Sequence, residues 1–221
     1  MIEMNFDEAR FNMIEQQIRP WNVLDQRVLD LLNEVPREDF VPAQYRNMAL
    51  TDMELPIGFD QLMMTPRVEA RMLQALDVQS NENVLEVGTG SGYVTALLAR
   101  LAKKVYSVEI IPDLLAAAAT RLAEHDTKKN ISLEEGDAAK GWPLDAPYNV
   151  IALTGSTPIL PDTFKNALTI GGRLFAVVGD SPNMEALLIT RVGEFDWMTE
   201  SLFELDLAPL KNAAEPDRFV L

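Results

Sequence analysis

Cysteine is absent from the 221-residue sequence, and histidine occurs only once, at His125. Without cysteine there are no disulfide bonds, thiolate nucleophiles or cysteine-ligated metals, and a single imidazole cannot form a histidine cluster. We therefore expect no metal site. Any chemistry has to come from carboxylates, hydroxyls, amides and the backbone.

Basic residues are scarce, with 19 Lys and Arg against 34 Asp and Glu and a formal net charge of −15. Proteins that bind nucleic acids neutralise phosphates with a positively charged surface, so this balance disfavours a nucleic-acid partner. Long apolar runs are also missing, and none approaches the roughly 20 residues that span a bilayer. The opening residues, MIEMNFDEAR, are acidic, unlike the basic start of a secretion signal. We expect a soluble cytoplasmic protein that does not bind membranes.

The apolar pattern changes character near residue 80. Before this point it predicts helices capped by Asn5 and Asp25, and a third helix that starts at Thr65 with proline at its first helical position. Residues 40–65 read as an ordered loop between them. A hydrophobic share of 48% in 221 residues suits one α/β domain with a modest appendage. We therefore divide the chain into an extension, 1–80, and a core, 81–221.

In the core, strand and helix patterns alternate. Helices are predicted at YVTALLARLA, from Pro112, and from Pro161 to about Leu168, where Gly171 and Gly172 are expected to close the last one. Repeated strand-helix-strand units imply right-handed crossovers and a doubly wound, mainly parallel, Rossmann-like α/β sheet. The strand candidates are NVLEVG, KVYSVEI, ISLEEG, YNVIAL, RLFAVVG and EALLITR.

A glycine-rich turn follows the first of these strands, in the stretch LEVGTGSGY. A dinucleotide fingerprint, G-x-G-x-x-G, requires glycine or alanine at its sixth place, where this chain has Tyr93, so a pyrophosphate cradle and a nicotinamide dehydrogenase are disfavoured. The spacing of Gly88, Gly90 and Gly92, preceded by Glu86, is instead similar to the first motif of S-adenosylmethionine-dependent methyltransferases. We expect glycine here because a Cβ would occupy the cofactor's space.

Downstream acids extend this cofactor site. Glu109 follows Gly88 by about 20 residues at the end of the next strand, where a carboxylate can accept both ribose hydroxyls. Gly136, Asp137 and Ala138 follow the third strand and are predicted to reach the adenine edge, although Gly-Asp alone is only a turn signal. The predicted cofactor-binding residues are Glu86, Gly88, Thr89, Gly90, Ser91, Gly92, Tyr93, Glu109, Ile110, Gly136, Asp137 and Ala138.

Other segments resemble the protein-L-isoaspartate O-methyltransferase family over most of the chain. They are VPREDFVP, YR, LPIG, GWP, APY and GGRL. The resemblance implies S-adenosylmethionine as cofactor, a seven-stranded sheet with an N-terminal helical extension, and a protein or peptide substrate carrying isoaspartate. It also implies a final strand at Leu207–Leu210 that helps to form a peptide groove. Residues 212–221 have no assignable pattern, and the oligomeric state is open.

One loop departs from the family pattern. The family continues Pro-Ile-Gly with His-Gly-Gln-Thr-Ile-Ser-x-Pro, whose serine lies at the methyl-transfer site, whereas this chain reads FDQLMMTP. Gln61 and the proline match, but Met64 replaces the serine, which puts Gln61 and Met64 at the expected catalytic position. Leu62 and Met63, with Met64, either line the methionine side of the cofactor or fill the core. Thr65 is better explained as a helix cap than as a replacement hydroxyl.

The expected reaction tolerates this loss. A carboxylate that attacks a methyl group is already ionised at neutral pH and needs no general base. Positioning can supply roughly 7–11 kcal/mol, against roughly 1.5–3 kcal/mol for one hydrogen bond to a charged group. Three functions stay open: methylation of an isoaspartyl carboxylate or a related acid, methylation of another acceptor, and a silent cofactor-binding scaffold.

Overall fold

The computed structural model describes residues 4–125 and 128–216. Met1–Glu3 and the part of the unassigned C-terminal segment beyond 216 therefore lie outside the described residues. The helices are α1 (Phe6–Met13), α2 (Gln26–Glu34), α3 (Pro66–Leu76), α4 (Tyr93–Leu101), α5 (Pro112–Glu124) and α6 (Asp162–Asn166). The strands are β1 (Leu55–Gly58), β2 (Gln61–Met63), β3 (Asn83–Val87), β4 (Lys104–Glu109), β5 (Ile131–Glu135), β6 (Tyr148–Thr157), β7 (Leu168–Asp180), β8 (Asn183–Arg191) and β9 (Trp197–Leu205).

Seven strands form one sheet in the order β5-β4-β3-β6-β7-β8-β9, which confirms the predicted doubly wound architecture. Strands β3 to β7 are parallel, and β8 and β9 are added antiparallel at one edge. The chain moves outward from β3 through β4 to β5 and then returns to β6 on the other side of β3. The sheet therefore has its switch point between β3 and β6, where ligands bind beyond the carboxyl ends of the strands.

Neighbouring residues on the central strands belong to different cores. Val84 and Val150 face a core shared with the N-terminal helices, whereas Leu85 and Ile151 face a second core around Phe164. This alternation is the two-residue period of a strand that is covered on both faces. The N-terminal helices and one face of the sheet thus share one hydrophobic core.

The last strand differs from expectation. The seventh strand is β9, whereas Leu207–Leu210 follows it and makes one parallel bridge, between Ser156 and Pro209. The Ser156 N–H donates to the Ala208 carbonyl at 3.0 Å and the Leu210 N–H donates to the Ser156 carbonyl at 2.9 Å, so the segment is joined to β6 at a single residue. Strand β9 was not predicted from the sequence, because most of its residues are exposed at this edge of the sheet.

Two other expectations need correction. Helix α6 ends at Asn166, and Gly171 and Gly172 lie inside β7 rather than closing the helix. The predicted loop at 40–65 contains a 3-10 helix, Ala43–Met48, and the antiparallel hairpin β1–β2. Short strands of three or four residues leave too little periodicity for a sequence pattern to identify.

The predicted caps of the first two helices are confirmed. The Asn5 side chain accepts a hydrogen bond from the Glu8 N–H at 3.3 Å, and Asp25 accepts one from Arg27 at 2.9 Å. Thr65 does occupy the cap position of α3, but its side chain makes no capping bond. Within the described residues its buried Oγ1 has no hydrogen-bond partner. Over the same residues, no helix combines the length and the apolar character needed to cross a membrane.

Candidate active site

The glycine turn links β3 to α4 at the switch point of the sheet. Gly88 has φ +96° and Gly90 has φ +52°, both in the left-handed region that favours glycine. A Cβ on Gly88 would lie 2.4 Å from Oγ1 of Thr154, and one on Gly90 would lie 3.1 Å from Cδ1 of Ile57. The structure gives a second reason for glycine at these two positions, and the expectation that a Cβ would occupy the cofactor's space stays a prediction. Glycine is required because the turn packs directly on β6 and on the hairpin.

Thr154 near the carboxyl end of β6 holds this turn. Its Oγ1 lies 2.9 Å from the carbonyl oxygen of Val87 and 2.7 Å from that of Gly88. The hydroxyl therefore connects the two central strands across the switch point. Sequence analysis did not single out Thr154, although a polar residue near the end of a buried strand beside the glycine turn is a usable signal.

Glu109 is at the end of β4, beside the turn. One carboxylate oxygen accepts a hydrogen bond from the Gly90 N–H at 2.8 Å, and the other accepts one from Ile111 at 3.0 Å. Only 5% of the residue is exposed, yet it borders a cleft. Each carboxylate oxygen has a second lone pair and can still accept a ligand hydroxyl.

The cleft lies beyond the carboxyl ends of β3, β4 and β6 and has a volume of about 700 Å³, including the solvent at its mouth. Hairpin β1–β2 forms one wall, and the segment 207–211 forms another. The predicted site residues that line the cleft are Gln61, Leu62, Gly88, Gly90, Glu109, Ile110, Gly136, Asp137 and Ala138.

The loop after β5 forms the far wall of the cleft. Asp137 accepts hydrogen bonds from the Ala139 N–H at 3.1 Å and from the Asn212 side chain at 2.8 Å. The second bond ties this loop to the end of the segment 207–212. The same segment is held at its other end by Ser156, whose N–H donates to Ala208 at 3.0 Å. Residues 207–212 therefore cross the cleft from β6 to Asp137.

A second, smaller cavity of about 310 Å³ adjoins the cleft. The predicted residues that line it are Leu62, Met63, Met64, Gly88, Thr89, Gly90 and Ser91. Ile57, Leu62, Gly88, Gly90 and Thr154 border both spaces. The two cavities therefore meet at the glycine turn.

Met64, at the position of the family serine, is 4% exposed and lines the second cavity. Its carbonyl oxygen accepts a hydrogen bond from the buried Arg37 at 2.5 Å. Gln61 lines the cleft, and its side-chain nitrogen donates to the Phe59 carbonyl at 3.2 Å. The structure thus places Gln61 at the cleft and Met64 at the second cavity, on different sides of their shared border.

Glu86 is placed differently from the other predicted residues, because it borders neither cavity. The residue is fully buried, and one carboxylate oxygen accepts hydrogen bonds from Thr95 and Ser107, each at 2.5 Å. Burial raises the pKa of Glu86 to about 8, despite the opposing effect of the two hydroxyls. Glu86 therefore lies behind the linings of both cavities, bonded to Thr95 and Ser107, and its predicted cofactor contact stays a prediction.

Gly92 and Tyr93 also border neither cavity. A Cβ on Gly92 would lie 3.1 Å from the Cβ of Ala118, so Gly92 allows α5 to pack closely against the turn. The ring of Tyr93 packs on Phe40, and burial raises the pKa of its hydroxyl. That hydroxyl has no hydrogen-bond partner within the described part of the chain. Both residues serve packing.

Glu69 and Lys211 were not predicted for the site. Glu69 is an acid on the buried face of α3 and lines the second cavity. Glu69 lies four residues before Leu73 and therefore on the same, apolar face of the helix. This spacing could have predicted a buried acid from the sequence. Lys211 is the one lysine or arginine among the described residues that line the cleft.

The chain is similar to known proteins of one family over most of its length. A family model described as protein-L-isoaspartate(D-aspartate) O-methyltransferase matches residues 8–212. A protein-L-isoaspartate O-methyltransferase of Rhodopseudomonas palustris is 41% identical over 202 residues, which cover 91% of this chain and 92% of that protein. A protein-L-isoaspartate O-methyltransferase 1 of Anaeromyxobacter sp. is 42% identical over 203 residues, which cover 91% of this chain and 95% of that protein.

The fold has a solved counterpart. A Plasmodium falciparum structure described as a protein-L-isoaspartate O-methyltransferase in complex with S-adenosyl-L-homocysteine superposes with a TM-score of 0.78 at 17% identity, covering 94% of this chain and 99% of that one. At this identity the likeness is one of fold. The family-model match and the relatives of about 40% identity show that the chain belongs to the protein-L-isoaspartate(D-aspartate) O-methyltransferase family.

Proposed function

We propose that this chain is an S-adenosylmethionine-dependent methyltransferase that methylates the carboxylate of isoaspartyl residues in proteins or peptides. The observation that carries the proposal is the cleft at the glycine turn, where the Glu109 carboxylate is bonded to the Gly90 N–H, in a chain of this family. The substrate class follows from what the relatives are described to act on.

The residues of the cleft fit this cofactor. Glu109 offers acceptor oxygens for ribose hydroxyls, and Ile110 and Leu114 provide apolar surface. A cofactor with phosphates would need several Lys or Arg side chains to bind it. Among the described residues that line the cleft, Lys211 is the one lysine or arginine. We therefore assign the cleft to adenosine and the adjoining cavity to the amino-acid end of the cofactor.

When bound, S-adenosylmethionine supplies a sulfonium methyl group that a carboxylate oxygen can take, with the C–S bonding pair leaving to sulfur. The protein's part is to hold the acceptor in line and to exclude water, because an ionised carboxylate needs no base. Leu62 presents apolar surface where the two cavities adjoin, and Met64 presents apolar surface in the second cavity. The segment 207–211 forms the wall facing the hairpin and supplies a lysine where an acidic substrate enters.

A transfer assay tests the proposal. Purified protein is incubated with methyl-labelled S-adenosylmethionine and an isoaspartyl peptide, with the ordinary aspartyl peptide as acceptor control. Gly90→Arg fills the turn and serves as the inactive control. We expect base-labile methyl esters on the isoaspartyl peptide alone. A rate equal to that of Gly90→Arg refutes the activity, and a better acceptor found in a wider screen refutes the substrate assignment.

A further inference from the structure

A buried carboxylate borders the second cavity. Glu69 is 1% exposed and pairs with Arg37, which is equally buried, through an Nε–Oε2 contact of 3.0 Å. Burial raises the pKa of Glu69, and the Arg37 guanidinium opposes that rise. Glu69 also lines the second cavity, so a ligand that occupies this space lies next to it.

Arg37 is fully engaged behind this carboxylate. Besides Glu69, its guanidinium donates to the carbonyl oxygens of Ala49 and Met64. Arg37 does not border either cavity, so it fixes the orientation of Glu69 without contacting a ligand. Both carboxylate oxygens of Glu69 accept from Arg37, Oε2 at 3.0 Å and Oε1 at 3.4 Å, and the residue lines the second cavity.

The rest of the second cavity is apolar except near the glycine turn. Its apolar lining consists of Ile57, Leu62, Met63, Met64 and Val94, whereas Thr89 and Ser91 lie at the turn. Glu69 is the one charged residue among the described residues that line this space. A ligand group that enters this cavity meets apolar side chains and one negatively charged hydrogen-bond acceptor, Glu69. A protonated amine on a short aliphatic stem matches that surface.

We propose that Glu69 binds the α-ammonium group of the cofactor's amino-acid end, with Arg37 as the positioning residue that orients the carboxylate. This inference rests on the proposed function, because it assumes the adenosine in the adjoining cleft. The shared border at Ile57, Leu62 and the glycine turn lets one ligand reach both spaces. Glu69 then selects cofactors that carry the amino acid over fragments that lack it.

Calorimetry with two ligands tests this assignment without requiring turnover. S-adenosylhomocysteine carries the ammonium, and 5′-methylthioadenosine keeps the nucleoside and thioether but lacks the amino acid. Glu69→Gln removes the charge at nearly constant shape. A hydrogen bond to a charged group contributes roughly 1.5–3 kcal/mol, so we expect Glu69→Gln to raise the Kd for S-adenosylhomocysteine by about 10- to 150-fold. Binding of 5′-methylthioadenosine should change less than about threefold.

Glu38→Gln is the matched control. Glu38 is another buried acid, 5% exposed and paired with Arg10, but it borders neither cavity. This variant should bind both ligands like the wild type. If Glu69→Gln does not fold, Glu69→Asp keeps the charge on a shorter stem and is expected to retain the preference for S-adenosylhomocysteine over 5′-methylthioadenosine in reduced form.

The outcomes separate this inference from the proposed function. Equal binding of S-adenosylhomocysteine to Glu69→Gln and wild type overturns the role of Glu69 and leaves the function standing. A parallel loss of both ligands also overturns it, since a merely structural residue would affect them alike. A wild type that binds neither ligand removes the proposed function itself.

Discussion

Met64 replaces a hydroxyl with a thioether where the family has its serine, and its side chain is almost completely buried beside the second cavity. The loss removes one hydrogen-bond donor and leaves the backbone intact, because Arg37 holds the Met64 carbonyl. We therefore expect the substitution to change how tightly the acceptor is positioned and to leave the shape of the turn in place.

Met64→Ser should restore a donor for the acceptor carboxylate. We expect kcat/KM for an isoaspartyl peptide to rise by about tenfold, since a hydrogen bond to a charged group contributes at least about 1.5 kcal/mol. Stability should fall by about 2 kcal/mol because a buried side chain is shortened. Met63→Ser changes a neighbouring methionine that is 5% exposed and is the control. It should lose stability without a rise in kcat/KM. An unchanged or lower kcat/KM in Met64→Ser contradicts the expectation.

Because the pKa of the buried Glu86 is raised, we expect the stability of the protein to depend on pH. Its pKa is about 8 in the folded protein, against an ordinary value of 4.5, because burial disfavours the charged form. Between these values the folded state holds one more proton than the unfolded state, so the contribution to stability is full below about pH 4.5. It falls as pH rises, by about 1.4 kcal/mol per unit, and is lost near pH 8.

Glu86→Gln should remove this slope, because the amide does not titrate. Urea unfolding of wild type and variant at intervals from pH 5.5 to 8.5 measures the difference between them. The exposed acid Glu200 provides a control, Glu200→Gln, that should follow the wild type. Parallel curves for wild type and Glu86→Gln would show that Glu86 titrates at its ordinary pKa.

At the level of elements, the hairpin β1–β2 carries the divergent loop. Its two turn residues, Phe59 and Asp60, have φ +55° and +57°, as in the type I′ turns that join two-residue hairpins. Asparagine and glycine suit these conformations, whereas a bulky aromatic residue is strained there. Phe59 is 51% exposed and makes little compensating contact with the core.

Phe59→Asn should therefore stabilise the protein by about 1 kcal/mol, the cost of holding a bulky residue in the left-handed region. The rise in the midpoint of urea unfolding measures this gain in stability. Phe195, 77% exposed and without positive φ, supplies the control variant Phe195→Asn, which should leave the midpoint unchanged. A lower midpoint for Phe59→Asn would mean that contacts of the ring outweigh the backbone strain.

The whole molecule carries a net charge of −15 and is proposed to act on an acidic group. Such a field repels an anionic peptide, and salt screens the repulsion over a Debye length of about 8–10 Å. Lys211 offsets the repulsion locally, as the lysine at the wall of the cleft.

The KM for an anionic isoaspartyl peptide should accordingly fall as salt is raised from about 50 to 200 mM, and Lys211→Gln should raise KM several-fold at low salt. Lys103→Gln makes the same change of charge at an exposed residue that lines neither cavity and should shift KM much less. Steady-state kinetics with constant cofactor separates KM from kcat. A salt-independent KM, or equal effects of the two lysine variants, would contradict local attraction.

Much of the architecture follows from sequence alone. The alternation of strands and helices after residue 80, the glycine turn and Glu109 predict the sheet, its switch point and the place of the cleft, because these signals are local and periodic. The division at residue 80 stays a prediction, as do the roles assigned to the individual site residues.

Tertiary structure decided which residues of the turn border the two cavities. Glu86, Gly92 and Tyr93 belong to the predicted motif but border neither cavity, whereas Glu69 and Lys211 come from distant parts of the chain and line the site. Sequence spacing determines that a turn forms, since backbone conformation is local. Packing between elements far apart in the chain determines what surrounds that turn, and no spacing within one segment contains that information.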